Sequence, residues 1–394
     1  MSLNEEDLEY LDQALDLAEQ GRGRTSPNPM VGAVIVRDSA ILGSGFHAGA
    51  GRDHAEVAAI KDAVSRAGLP VECDVAGRVA AAEALAVCAG ATMYVTLEPC
   101  CTYGRTPPCT ESLIAAGFVR VVVATIDPNP AIDGKGIELL RAAGIQVDLA
   151  DGDVAHRAKR QNEGTRKTVL RGLPFVTYKY AMTLDGRVAT DSGDSRWISS
   201  AQSRALVHQW RAWSDAVVVG AVTQSADDPR LTARDVVCER QPLRVVVDRA
   251  LGLSHDSALV ATIDDGPVVV VCGPDVPEAR RAEVEGWGVQ TAVVPASPEG
   301  GLDPLEVGRH LAHRGVQTVL LEGGPRLAAA WWEAGLVDKV AAFVCPRVSP
   351  GVENRGALCG AGPSEMAGSI GLQEVDVQHV GPDVLITGYR EGPF

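Results

Sequence analysis

Positive charge is scarce in this chain. Its 394 residues hold 36 lysines and arginines against 51 aspartates and glutamates, a formal net charge of −15. A general nucleic-acid binder needs a basic footprint, so the charge argues against that class; it does not exclude a small anionic substrate held by a few local arginines. Long apolar runs are missing too. Stretches such as "FVRVVVATI" and "PVVVVC" are far too short for a membrane span and read as buried strands. The N-terminal "MSLNEEDLEY" is acidic and lacks the apolar core of a secretory signal. There is no internal repeat and no low-complexity tail. A cytoplasmic protein with no membrane partner is expected, and its nine cysteines are expected as thiols or metal ligands rather than disulfides.

What is present begins with length. The chain is too long for one ordinary core, so two domains are expected, and a composition 46% hydrophobic and 22% charged suits a globular protein. The pattern predicts a helix over 5–20, a strand over 31–36, a helix from about 54 to 68, a strand over 91–97, a helix over 109–117, a strand over 118–126, a helix over 134–144 and a strand over 145–150. This alternation implies a layered α/β domain with mostly parallel pairing. Residues 69–90 have no place in it and read as an insertion, covering the site or decorating the surface. A charged helical stretch over 151–173 reads as a connector. A second series follows, with strands over 174–182, 215–220, 243–248, 267–272, 289–294, 316–321 and 338–345. Helices over 200–213, 278–285, 304–314 and 325–335 alternate with them, and a final strand pair lies near 374–378 and 383–388.

The stretch "EPCCTYGRTPPC", Glu98 to Cys109, is too rich in proline for a helix or strand and must be a rigid loop. Cys100 and Cys109 flank it and can meet where the loop folds back. Thiolate and imidazole are the donors zinc prefers, and a catalytic zinc keeps three of them. The third is expected from His54, which opens "HAE" at a helix start. Glu56 then faces the site without being a ligand and can carry protons. H-x-E followed by P-C is the signature of zinc nucleobase deaminases, although eight residues separate Cys100 from Cys109 where the signature has two. Taken singly, His54 is a cap or surface residue, each cysteine a small apolar residue, and the pair a closed structural site. Taken together, they point to zinc hydrolysis. Cys101 reads as a packing thiol, and Cys73, Cys88, Cys238, Cys272, Cys345 and Cys359 read as core thiols.

Other residues are candidates from their place. Asn28, before the first strand, offers donors and an acceptor to a heterocycle edge, or is a turn residue between prolines. Asp127 and Asn129 follow a strand's carboxyl end, where α/β sheets bind ligands. His47 and Arg105 meet a phosphate or are simply solvated. "GSGFHA" matches a dinucleotide fingerprint only in spacing; no helix follows, and it is rejected. In the second half a strand ends at Glu322, Gly323 and Gly324 allow close approach, and Pro325 suits the first helical position, so the helix start can hold a phosphate. Ser199 and Gln202 fit a capping box. Arg204 and Arg211 share a helix face, and Arg234 can join Arg211 on a phosphate. Asp227 and Asp228 read as turn acids.

"TSPNPMVGAVIV", "HAE", "VTLEPCCTYGRTPPC", "DPNP", "YKYAMTLDGRVAT", "SGDSRWISS", "ADDPRLTAR" and "LEGGPRLAAAW" together resemble the bifunctional riboflavin-biosynthesis deaminase–reductase family over nearly the whole chain. The resemblance implies a cytidine-deaminase-like α/β/α domain over 1–150, a linker over 151–173 and a dihydrofolate-reductase-like α/β domain over 174–394. It implies zinc on His54, Cys100 and Cys109, with Glu56 shuttling protons. It also implies a pyrimidine and phosphate pocket lined by Asn28, His47, Arg105, Asp127 and Asn129. In the second domain it implies NADPH contacts at Ala181, Trp197, Thr223, Asp227 and Gly324, and substrate contacts at Ser195, Arg211, Leu231, Arg234 and Glu322. Lys179 sits in the matching strand. The implied reactions are removal of the 2-amino group of a phosphorylated diaminopyrimidine, then reduction of its ribosyl group to ribityl. A homo-oligomer acting on small phosphorylated pyrimidines is expected. Where the family usually has Ser-His, this chain has Cys101-Thr102, so a pocket histidine is missing. The alternatives are a nucleoside or nucleic-acid deaminase with an unrelated appended domain, and a non-catalytic zinc module or sensor.

Overall fold

In a computed structural model the described residues are 3–74, 77, 79, 81–104, 107–298, 300–351 and 356–392. They form two units, Met1–Arg171 and Gly172–Gly392.

The first unit begins with α1 (Glu5–Glu19), started by a capping box between Asn4 and Asp7. There follow β1 (Gly32–Arg37), β2 (Ala40–Phe46), α2 (Ala55–Arg66), α3 (Ala82–Leu85), β3 (Thr92–Val95), α4 (Cys109–Ala115), β4 (Arg120–Val123), α5 (Lys135–Ala142), β5 (Gln146–Leu149), α6 (Gly152–Gln161) and α7 (Glu163–Arg171). The sheet order is β2-β1-β3-β4-β5. The expectation of mostly parallel pairing holds only for β3-β4-β5, because β1 runs antiparallel to both its neighbours. Asp38 and Ser39, at φ of 54° and 58°, make the tight turn that returns the chain as β2.

The sequence pattern shows no strand at β2, whose "AILGSGF" is broken by glycine. The glycines are there for α2. A Cβ on Gly43 would lie 2.5 Å from the Ala59 carbonyl oxygen, and one on Gly45 would lie 2.5 Å from the Ala59 nitrogen. Helix and strand therefore meet backbone to backbone. Ala59, Ile60 and Val64 of α2 join Leu113, Val121 and Leu140 in a core on one sheet face. Leu11, Ala14 and Leu15 of α1 join Val154, Ala155 and Ala158 of α6 on the other. The result is three layers, helix on sheet on helix.

Two stretches without a place in the sequence pattern prove structural. In the 69–90 segment Val79, Ala84 and Cys88 are buried in the α2 core, and Arg37 donates to the carbonyls of Val87 and Ala89 at 3.0 Å each. That segment neither decorates the surface nor stands apart. The 151–173 stretch folds as α6 and α7. Gln161 donates to the Leu15 carbonyl at 2.9 Å, while Asn162 accepts from Met30 N at 2.7 Å and donates to its carbonyl at 2.8 Å.

The second unit contains β6 (Phe175–Thr183), α8 (Ala201–Trp213), β7 (Ala216–Gly220), α9 (Ala221–Asp227), β8 (Leu243–Val247), α10 (Ala258–Ala261), β9 (Val268–Cys272) and α11 (Glu278–Glu285). It continues with β10 (Gln290–Val293), α12 (Pro304–His313), β11 (Thr318–Leu321), α13 (Pro325–Glu333), β12 (Val337–Cys345), β13 (Gln373–Val380) and β14 (Asp383–Tyr389). Its sheet runs β10-β9-β8-β7-β11-β6-β12-β14-β13, parallel as far as β12 and antiparallel beyond. Both faces of the parallel part are covered, so strands such as Val268–Cys272 are apolar throughout.

Two local expectations need correction. The cap of α8 is Ser200, not Ser199; its side chain accepts from Ser203 N. Asp383, from β14, accepts from Ser200 N at 2.8 Å and from Ser203 Oγ at 2.6 Å, a partner that local sequence does not reveal. Of the expected core thiols, Cys88, Cys272 and Cys345 are buried, but Cys73 and Cys359 are exposed and Cys238 is half-buried. No helix among the described residues is long and apolar enough to cross a membrane.

Candidate active sites

In the first unit α2 begins at Ala55 with His54 at its cap position, and α4 begins at Cys109 itself. Cys100 lies on the loop leaving β3, and Thr110 N donates to its carbonyl at 3.2 Å, folding the loop back. His54, Cys100 and Cys109 thus place one donor atom each within 4.8 Å of one another. His54 Nδ1 is 3.2 Å from Cys109 Sγ and 3.6 Å from Cys100 Sγ. A tetrahedral zinc with Zn–N of about 2.0 Å and Zn–S of about 2.3 Å requires an N···S edge of about 3.5 Å. The donor set and its spacing fit zinc.

The electrostatics agree. Hydrogen bonding from Cys109, then from His54, outweighs burial and pulls the Cys100 thiol down to about 4. The contact with Cys100 raises His54 to about 9. Cys109, in contact with Cys100 and buried, is pushed up. One crowded pocket is sharing protons that a divalent cation would displace. Glu56 is buried beside these donors; burial, and then the Cys100 charge, raises its carboxyl above the usual range.

His47 lies next to this cluster, its ring 5.5 Å from that of His54. Its Nδ1 is 2.8 Å from the Asp53 carbonyl, which makes Nδ1 the donor and leaves Nε2 to accept from Asn28 Nδ2 at 3.0 Å. Burial lowers the His47 pKa, which keeps the ring neutral. Asp127 and Asn129 lie on the turn after β4, where Asp127 Oδ1 accepts from Asn129 N at 2.8 Å. Burial raises the Asp127 carboxyl. Arg105 lies outside the described residues.

Three residues that the sequence reading passes over belong to this neighbourhood. Asn162 clamps Met30, two residues from Asn28. Arg166 of α7 lies against the Ile126 carbonyl at 3.4 Å and feels the Asp127 charge. Glu98 binds the turn after β4. Glu98 shows in the sequence only as an acid directly after an apolar strand, which does not reveal its backbone partners.

In the second unit the candidates gather past the carboxyl ends of β7 and β11. Arg211 of α8 makes a two-pronged ion pair with Glu322, Nε–Oε1 at 2.6 Å and Nη2–Oε2 at 2.8 Å. Arg211 Nη1 donates to the Thr232 carbonyl at 3.1 Å, and Arg234 binds the Thr232 hydroxyl at 2.8 Å. Two guanidinium groups thereby converge on one turn. Leu231, in that turn, is buried and has a φ of 57°. Ser195 Oγ donates to Asp227 Oδ1 at 3.3 Å. Gly324 caps α13, and a Cβ there would lie 3.0 Å from the Thr223 hydroxyl, so these two sit together. Trp197 is 64% exposed and stacks with the Arg204 guanidinium at 4.5 Å. Ala181 and Lys179 lie on β6, Ala181 paired with Phe343. Burial lowers the Lys179 ammonium, partly offset by Glu322.

A zinc-binding deaminase region followed by an α/β reductase domain defines a bifunctional deaminase–reductase. Residues 4–125 match the family described as the cytidine and deoxycytidylate deaminase zinc-binding region, and residues 174–386 match the RibD C-terminal domain. The riboflavin biosynthesis protein RibD of Aquifex aeolicus is 36% identical over 384 residues, covering 98% of each chain. That of Escherichia coli is 36% identical over 391 residues, covering 96% of this chain and 97% of its own. The solved structure of Acinetobacter baumannii RibD superposes with a TM-score of 0.82 at 35% identity, covering 98% of both chains. A diaminohydroxyphosphoribosylaminopyrimidine deaminase/5-amino-6-(5-phosphoribosylamino)uracil reductase from Thermotoga maritima superposes with a TM-score of 0.80 at 31% identity, again covering 98% of both. The chain belongs to the RibD family and is a bifunctional deaminase and reductase of riboflavin biosynthesis.

Proposed function

We propose that residues 1–150 deaminate 2,5-diamino-6-(5-phosphoribosylamino)pyrimidin-4-one and that residues 174–394 reduce the product, 5-amino-6-(5-phosphoribosylamino)uracil, with 151–173 linking them. The observation that carries this reading is the convergence of His54, Cys100 and Cys109 beside a buried Glu56. Bound zinc would supply a Lewis acid that brings the pKa of its water to about 7. Glu56 takes the proton of the attacking water and delivers it to the leaving 2-amino nitrogen, and its raised pKa suits both roles. Asn28, held by neutral His47, presents its amide to the pyrimidine edge, while Asp127 and Asn129 line the other side. Arg105 would supply the positive charge for the phosphate, while His47, with both ring nitrogens engaged, serves by holding Asn28.

NADPH would supply the hydride for the second step. Gly324, Thr223, Asp227, Ala181 and Trp197 would hold it, the free N–H groups at the start of α13 being suited to a phosphate. Arg211 and Arg234 grip the substrate phosphate, with Ser195, Leu231 and Glu322 around the sugar. The reading includes a cytoplasmic homo-oligomer, checked by fractionation and light scattering.

The test is NADPH oxidation by the purified, zinc-loaded chain. The diaminopyrimidine phosphate should support oxidation, chelation should stop it, and the deaminated uracil should restore it. No oxidation with either compound would overturn the reductase assignment. NADPH oxidation with the diaminopyrimidine that survived chelation would overturn the order of the steps.

A further inference from the structure

We infer that Glu98 is a positioning residue for deamination, holding the turn that carries Asp127 and Asn129 against the loop that carries Cys100. Glu98 follows β3 and is 3% exposed. Its carboxylate accepts four backbone N–H groups, all from the segment beyond β4. Oε1 takes Gly136 N at 2.9 Å and Ile137 N at 3.3 Å; Oε2 takes Gly134 N at 2.9 Å and Asp127 N at 3.2 Å. Its own N–H donates to the Thr125 carbonyl at 2.9 Å. One side chain therefore fixes both ends of the turn, at Asp127 and at the start of α5. Two residues further along its own strand exit stands Cys100.

The residue type follows from the donors. Four N–H groups converge on one buried spot, and only a carboxylate offers two oxygens with lone pairs enough to satisfy them. The first N–H groups of α5 also favour a negative charge. An amide of the same shape would turn an NH2 toward two of these donors. The packing leaves no slack, because a Cβ on Gly136 would lie 2.2 Å from the Pro99 carbonyl oxygen. Turn and metal loop are thus in direct apposition, with Glu98 as the hydrogen-bonded side of the contact and Gly136 as the steric side. The inference rests on the reading that Asp127 and Asn129 meet the pyrimidine substrate.

The experiment compares Glu98→Gln, Gly136→Ala and Asn129→Ala in the full zinc-loaded chain. Deamination is followed by ammonia release, zinc by metal analysis, and the second site by NADPH oxidation with the uracil substrate. Glu98→Gln should raise the deaminase KM about tenfold while kcat changes much less. Zinc should stay at the wild-type stoichiometry, and reductase turnover should be untouched. Gly136→Ala should show the same split, since its Cβ would press on the Pro99 carbonyl and on Glu98 Oε1 and displace the same turn; it decides the matter if Glu98→Gln does not fold. An unchanged KM in both variants, with a raised KM in Asn129→Ala, would overturn the positioning role alone. Loss of zinc, or a fall in kcat at constant KM, would also overturn it, by assigning Glu98 to the metal loop only. An unchanged KM in Asn129→Ala would remove the substrate contact itself, and the inference with it.

Discussion

At the scale of single residues, the proposed deamination depends on Glu56 being close to the donors without being one of them. Glu56→Gln keeps the shape and removes the proton carrier. Deamination should fall by about 10²–10⁴-fold, the usual contribution of general acid–base catalysis, while metal analysis finds zinc unchanged. A variant that lost zinc in proportion to activity would instead make Glu56 a ligand. These residues were legible in the sequence because motif and function coincide there: His54 and Glu56 share one turn, and prolines mark the loop between Cys100 and Cys109. Glu98 was not. All four of its side-chain partners are backbone N–H groups at Asp127, Gly134, Gly136 and Ile137, and every residue type except proline offers the same group. Asn162 was hidden for the same reason, its partners being the N–H and carbonyl of Met30.

At the scale of elements, the start of α8 depends on a distant hairpin. Burial alone would raise the Asp383 carboxyl, but hydrogen bonds from Ser203 and Ser200 outweigh it and hold the group below 3.8. Removing these charge-assisted hydrogen bonds should cost the second unit about 1.5–3 kcal/mol, read as the denaturation difference between wild type and Asp383→Ala. A group whose folded pKa is depressed stabilises above its unfolded value and loses that contribution as pH falls through the folded one. The difference should therefore be constant from pH 8 to 5 and narrow only below about 4. Because α8 carries Arg211, the variant should also raise the reductase KM for the uracil. A difference that vanished already near pH 6 would assign the effect to another group. Most elements were readable from periodicity, since apolar strands such as β9 and amphipathic helices such as α12 announce themselves. β2 and the Asp383 support of α8 were not, because the glycines of β2 answer to the close packing of α2 and the start of α8 to a hairpin far along the chain.

At the scale of the whole molecule, the chain combines two separately built units, and among the described residues the cluster of metal donors lies in the first. Whatever binds the folded form alone stabilises it. Chelation should lower the melting temperature of the first unit and leave the second unit's transition and its NADPH oxidation in place; a common shift of both transitions would contradict that separation. The backbone contact of α2 with β2 matters here too. Gly43 and Gly45 carry no chemistry, yet any larger residue would push α2, with His54 and Glu56 at its head, away from the sheet. In a saturation mutagenesis map of the deaminase these two inert positions would look as intolerant as the zinc donors. Such a map, read alone, would count them as catalytic.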